Sequence, residues 1–375
     1  MIAILVFTTL LVVFSIYSYV LIDPNLTFFG HPFWETFRNA IVQIGYHKRQ
    51  LSWFLYATGI IALFLFHWWA VQHAKKLDPV RIAVIAAIVL TFSYPLLSHD
   101  LFNYMFDAKI LTYYHQNPYL HRALDYPDDT WLRFMHWVHR TYPYGPVFLL
   151  ISAVPSLLGM GKFLLHFFLI KALFGAFYLL AVWCLAKMER RWAVVFATCP
   201  LVLVEGLVNA HNEIVAVGLG IAGFYVLTRK QELAARLLFL ASAGIKFMTA
   251  PYLIVVRKAD HWLNYLALVG TIAFIGYAAY AVELQQWYFL NLFFFLPLFP
   301  RLITRLWPLW LALLLSYYPF IALGNWETDA PIRSKFLIIQ IGLVIQILYL
   351  LIETVRSREG WRFLLRGTSS STGHT

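Results

Sequence analysis

Apolar runs long enough to cross a bilayer recur along almost the whole 375-residue chain, and nothing else in the sequence constrains its fold as much. Roughly 30 Å of hydrocarbon requires about 20 apolar residues in a helix. Candidate spans are residues 1 to 21, 51 to 73, 82 to 98, 146 to 158, 163 to 186, 193 to 208, 213 to 228, 234 to 255, 263 to 283, 286 to 299, 306 to 323 and 336 to 353. Three of these, 146 to 158, 193 to 208 and 286 to 299, are too short to cross alone. They predict broken or partly inserted helices, which lipid tolerates only where protein or a wet cavity surrounds them. With 61% hydrophobic and 13% charged residues, no room remains for a separate soluble domain. The expectation is an all-α polytopic membrane bundle of about 10 to 12 segments in one domain, 1 to 366, followed by a short polar tail at 367 to 375.

The formal charge of +11 does not point to nucleic acid, because the basic residues sit in short clusters between apolar runs: "HAKKLDPVR", "KMERR", "LTRKQELAAR", "VVRKAD" and "VRSREGWRFLLRG". That is the pattern of cytoplasmic loops. It predicts a multi-pass membrane protein with residues 22 to 50 and 99 to 145 on the non-cytoplasmic side. One cluster conflicts. If 146 to 158 and 163 to 186 both cross, "KMERR" falls outside, so one of the pair is not a full span. The first run lacks a basic start and a small-residue cleavage site, and is expected to be a retained span. Cys184 and Cys199 lie in apolar segments without metal or redox spacing, and read as core residues.

The longest polar interruption, 99 to 145, holds five aspartates and five histidines. Asp100, Asn103, Tyr104 and Asp107 are spaced by three, four and seven, so a helix starting at residue 100 places them on one face. Asp100 could equally cap that helix. In "NPYLH", Asn117 to His121, Pro118 ends the preceding helix. The apolar spacing of "TWLRFMHWVHR" predicts an amphipathic helix in the membrane interface. "YPYGPV" then re-enters the membrane with Tyr142 and Tyr144, residues that also serve as ordinary interface anchors.

Deeper, "CPLVLVEGLVNAHNEIVAVGLG" carries Glu205, Asn209, His211, Asn212 and Glu213 inside an apolar stretch, and "ASAGIKFMTAPYLIVV" carries Lys246 with no neighbouring charge. Ionisable groups in lipid face a bundle interior or a polar cavity. Lys246 is expected to meet Glu205, Glu213, an outer-loop Asp or a ligand phosphate, a structural ion pair being the plain alternative. His136 and His139 follow no zinc pattern, and the composition leaves room for a divalent ion held by Asp and Glu; the metal site is unknown and no cofactor is implied with certainty.

At "SHDLFNYMFDAKILTYYHQNPYL", "YPYGPV", "CPLVLVEGLVNAHNE" and "GIKFMTAPYLIVV", in that order over residues 93 to 256, the chain resembles the GT-C glycosyltransferases, in particular their bacterial mannosyltransferase-like branch. The resemblance implies a GT-C-like fold with a large outer loop carrying interfacial helices. It also implies a polyprenyl-phosphate sugar as donor, a glycan or glycolipid as acceptor, and a site facing the non-cytoplasmic side. It makes Asp100 the general base, with Tyr104, Asn117 and Tyr119 shaping the site. Glu213 departs from the Asp usual there, and an extra apparent span precedes the Asp100 loop, which keeps Asp107 as a rival base. The residue inventory suits inverting transfer of a hexose, mannose first, with Lys246, Arg122, His121 or His211 available for the phosphate and His99 beside the base. The rival function is a transporter or lipid flippase using Glu205, His211, Glu213 and Lys246 in a membrane cavity.

Overall fold

Among the residues described by the computed structural model, 2–325 and 329–357, five helical stretches are long and apolar enough to cross a membrane: Ile2–Leu21, Arg49–Gln72, Phe163–Met188, Trp262–Ala281 and Ala330–Arg356. A sixth forms if Arg190–Thr198 and Val202–Val208, bent by 64°, count as one broken span, and four shorter apolar helices complete the bundle. The described residues contain no strand. The expected polar tail at 367 to 375 lies outside them.

The helices are α1 (Ile2–Tyr17), α2 (Pro32–Val42), α3 (Arg49–Gln72), α4 (Pro79–Thr91), α5 (Asp100–Thr112), α6 (Pro146–Gly159), α7 (Phe163–Met188), α8 (Arg190–Thr198), α9 (Glu213–Thr228), α10 (Glu232–Ala243), α11 (Trp262–Ala281), α12 (Pro300–Thr304), α13 (Trp307–Leu315) and α14 (Asp329–Arg356). Three expectations change. The span 82 to 98 stops at Thr91, because Pro95 lacks an N–H and disfavours helix at Tyr94. The freed backbone is met by protein: Tyr94 N–H donates to Ser18 Oγ at 2.8 Å and Leu97 N–H to Asn209 Oδ1 at 3.2 Å. The span 234 to 255 is a hairpin of α10 and the 3-10 helix Phe247–Ile254, which closes where Arg236 donates to the carbonyls of Leu253 and Val255. The interfacial helix expected over "TWLRFMHWVHR" is a single 3-10 turn, Thr130–Phe134, capped by Asp129. Its apolar residues turn inward instead: Trp131 and Phe134 pack on Phe163 at the start of α7.

The "KMERR" conflict resolves at α6. This helix is about 21 Å long, short of the hydrocarbon thickness, and a tight turn with positive φ at Met160 and Gly161 sends the chain straight back along it as α7. So α6 forms a hairpin with α7 and is too short to cross alone. At the far end of α7, Arg190 Nε donates to Leu77 O at 2.7 Å, which places "KMERR" beside "HAKKLDPVR". Trp183 meets Tyr225 near the end of α9, bringing "LTRKQELAAR" to the same end, and the α10 hairpin brings "VVRKAD" there too. Four of the five basic clusters gather at one end of the bundle, while α5 meets the opposite end of α7 through Phe102 on Phe163 and Phe167.

Candidate active site

Asp100 opens α5. Its N–H donates to Ser98 Oγ at 3.2 Å and His99 occupies the N-cap position, so Asp100 is a first-turn residue and not the cap. The residue is 8% exposed and its Oδ2 faces His211 Nδ1 at 3.7 Å. The His211 ring lies flat on Trp287, centroids 3.8 Å apart, and presents Nε2 to Glu205 at 3.4 Å. Asn209 donates to Glu205 Oε2 at 3.0 Å while its own Oδ1 accepts the Leu97 N–H. One line of polar contacts therefore joins the segment before Asp100 to the broken helix. Burial alone would disfavour charge on both partners, but their mutual attraction prevails: Asp100 falls below the usual carboxylate range and His211, between two carboxylates, rises to about 9.

The break itself is held by a residue that sequence reasoning passed over. Val202–Val208 is π-helical, and the chain then turns sharply at Ala210, φ 56°, before α9 begins at Glu213. The carbonyls orphaned by such an end need donors. Lys171, 2% exposed inside α7, donates to Leu207 O, to Val208 O at 2.8 Å and to Ser93 Oγ at 3.0 Å. It ties the segment that leads to Asp100 to the turn that carries His211. The available signal was a lone lysine in "FLLHFFLIKALF", since an ammonium in a spanning helix has to find acceptors. Lys171→Met is expected to lower kcat about 100-fold, the cost of a misplacement near 1 Å, with donor KM changing far less. A loss that tracks only the folded fraction in a thermal melt would show that Lys171 merely stabilises the bundle.

Lys246 sits in the turn between α10 and Phe247–Ile254. Its Nζ lies 2.7 Å from Glu213 Oε1 and donates to Asn212 Oδ1 at 3.2 Å, beneath the rings of Tyr144 and Tyr288 at 5.2 and 5.7 Å. The "YPYGPV" re-entry zips onto that turn: Gly145 N–H donates to Ile245 O at 3.3 Å and Val147 N–H to Gly244 O at 3.2 Å. Only glycine permits this approach at 145, because a Cβ would run into the Gly244 carbonyl.

Aromatic rings line the wall between. Tyr104 meets Tyr144 edge-on at 5.2 Å, Tyr144 meets Tyr142 at 5.5 Å, and Tyr142 meets Tyr119 at 5.2 Å. The "NPY" turn braces them: Asn117 Oδ1 accepts the Tyr119 N–H, Pro118 O accepts the Tyr142 N–H, and the Tyr119 hydroxyl donates to Tyr144 O at 2.9 Å.

The structure thus brings Asp100, Tyr104, Tyr119, Tyr142, Tyr144, Glu205, Asn209, His211, Glu213 and Lys246 together, with Asn117 as an exposed brace and His99 at the rim near His136. Asp107 is buried two turns further along α5. His121 and Arg122 turn away, to Asp125 at 3.9 and 3.3 Å. Besides Lys171, sequence reasoning missed Trp287, Tyr288 and Arg140, whose positive charge acts on both Asp100 and Asp107. Among the described residues no three His, Cys, Asp or Glu side chains are grouped to hold a metal ion.

A family model described as alpha-(1->6)-mannopyranosyltransferase, N-terminal domain, matches residues 27–263. Comparisons with curated proteins and with solved structures return no match. The matched region is more than half of the chain and contains Asp100, His211 and Lys246; the chain belongs to this mannosyltransferase family, which decides for an enzyme over a transporter.

Proposed function

We propose, from the premise of a membrane mannosyltransferase, that the enzyme moves mannose from a polyprenyl-phosphate donor to a primary hydroxyl of a glycan or glycolipid on the non-cytoplasmic face, with Asp100 as general base. The observation that carries this reading is one buried carboxylate, Asp100, placed where three cations converge: His211 at 3.7 Å, and Lys246 and Arg140 through their fields. Asp100 takes the proton of the acceptor hydroxyl as its oxygen attacks the anomeric carbon. The bond from that carbon to the phosphate oxygen breaks, and the leaving phosphate carries its charge toward Lys246, His211 and Arg140. A single displacement inverts the anomeric centre, so an α-linked product of the kind in the family's description calls for a β-linked donor. Tyr144, half-buried beside Lys246, offers the sugar a flat apolar face and a hydroxyl. The basic clusters at the opposite end of the bundle support a non-cytoplasmic site. A lipid donor suits its depth, because the prenyl chain can stay in hydrocarbon while the head reaches Asp100.

The test is transfer by the purified protein in nanodiscs from radiolabelled polyprenyl-phosphate mannose to an octyl α-mannoside. The expected product is α-linked at O6. No turnover across several lipid-phosphate sugars, with folding verified, would overturn the proposal.

A further inference from the structure

The two faces of α5 are finished differently. Away from the site, Lys109 is fully partnered: its Nζ donates to Asp129 at 2.5 Å, Tyr114 donates to the same carboxylate at 2.8 Å, and the Trp131 ring covers the ammonium at 3.9 Å. On the face that carries Asp100, several buried polar groups have no partner among the described residues. Among the described residues Asn103 Oδ1 and the Tyr142 hydroxyl are buried without a hydrogen bond, and Asp107 makes neither a hydrogen bond nor an ion pair, while the Tyr104 hydroxyl has only that of Tyr144 beside it. Exposures of 3% for Asn103, 1% for Tyr104, 6% for Asp107 and 4% for Tyr142 leave them little contact with bulk water. Helix spacing puts Asn103 and Asp107 one above the other. Tyr142 reaches the same wall through Tyr144, which meets Tyr104. Leaving several buried donors and acceptors unmade is costly unless something else completes them.

We infer that Asn103, Tyr104, Asp107 and Tyr142 form a subsite for a neutral hexose of the acceptor, completed by the hydroxyls of that sugar, and that Asp107 acts there as a hydrogen-bonding group and not as a second base. The inference rests on Asp100 being the base, since the acceptor hydroxyl must arrive at Asp100 while the rest of the acceptor extends along α5. From Asp100 to Asp107 the helix rises about 10 Å, longer than one hexose ring, so Asp107 reads a part of the acceptor away from the reacting oxygen. The chemistry of the lining selects the ligand. A phosphate goes to the cations around Lys246 and His211, whereas an amide oxygen, two phenols and a carboxyl offer mixed donors and acceptors that match sugar hydroxyls. The rings of Tyr119, Tyr142 and Tyr144 supply a wall for the apolar face of the sugar.

The state of Asp107 agrees with this role. Burial pushes its carboxyl up to about 8, and Asp100 adds to the rise while Arg140 opposes it. That rise favours the carboxylic acid at neutral pH, able both to donate and to accept. Its charged and titratable surroundings are Arg140, Asp100 and Tyr142.

Initial rates with radiolabelled polyprenyl-phosphate mannose and octyl α-mannopyranosyl-(1→6)-α-mannopyranoside test the subsite. Asp107→Ala is expected to raise the acceptor KM about tenfold, and Tyr142→Phe severalfold, each the loss of one good hydrogen bond, with a smaller change in the donor KM. In the wild type the acceptor KM should climb as pH rises through about 8, where Asp107 loses its proton; in Asp107→Asn, which stays neutral, it should start higher and remain level. Equilibrium binding of the dimannoside without donor reports on the subsite independently of turnover, and should weaken in Asp107→Ala and Tyr142→Phe. Unchanged acceptor KM and binding in both variants would overturn the subsite. Loss of kcat at saturating acceptor in Asp107→Asn, as deep as in Asp100→Asn, would make Asp107 the base. Normal transfer by Asp100→Asn would sink the base assignment, and dimannoside binding would still read the subsite on its own.

Discussion

Asp100→Asn is expected to reduce mannosyl transfer by about 10²- to 10⁴-fold, the usual worth of a positioned general base, while the protein stays folded and still binds the proposed lipid donor. The amide keeps the shape of the carboxylate and cannot take the acceptor proton. The start of α5 should survive, because its first N–H is met by Ser98 Oγ and not by the Asp100 side chain. His211 keeps Glu205 at 3.4 Å, so its ring remains anchored on Trp287. Donor binding therefore separates from turnover, and labelled donor retained by an inactive, folded variant is the result to look for. Near-wild-type transfer would remove Asp100 from the chemistry and leave Asp107, two turns away, as the carboxylate to test.

The second large effect is at Lys246, where stability and donor affinity have to be told apart. Glu213 is fully buried 2.7 Å from the ammonium. Lys246→Gln leaves that carboxylate without its cation, a change that costs about 3 to 5 kcal/mol when one partner of a buried pair is removed. Lys246→Gln combined with Glu213→Gln removes both charges, so most of that stability is expected to return. Donor affinity behaves differently. If the ammonium also meets the donor phosphate, the double variant still lacks a charge-assisted contact worth about 1.5 to 3 kcal/mol, roughly 10- to 150-fold in affinity. Melting temperature and donor binding measured on the single and double variants decide it. Recovery of both in the double variant would make Lys246 only the structural partner of Glu213.

Several features of this protein are written in local stretches of sequence. The apolar runs declare a polytopic bundle because each residue's preference for hydrocarbon over water adds along the chain, whatever its neighbours in space. The α5 face that holds Asp100, Asn103, Tyr104 and Asp107 follows from helical spacing alone. Pro118 and the "YPYGPV" motif mark real turns, since proline and glycine act on their own backbone. The polar cluster of the broken helix was equally legible, because two Glu, a His and two Asn in an apolar stretch have to be placed somewhere.

Partnership was not legible. Whether "TWLRFMHWVHR" lies in the interface or packs inward depends on Phe163, and whether α6 pairs with α7 as a hairpin depends on the turn at Met160 and Gly161. His121 and Arg122 looked as suited to phosphate as Lys246, and only the fold shows their contacts to Asp125. Lys171 gained its meaning from the carbonyls of Leu207 and Val208 and from Ser93, all remote in sequence. The sequence by itself determined which groups must leave lipid and where the helices must break, because solvation and backbone preferences belong to single residues and short spacings. Only the tertiary structure decided which donor meets which acceptor, because that pairing is fixed by the packing of helices far apart in the chain, and it is the pairing that makes Asp100, His211 and Lys246 one site.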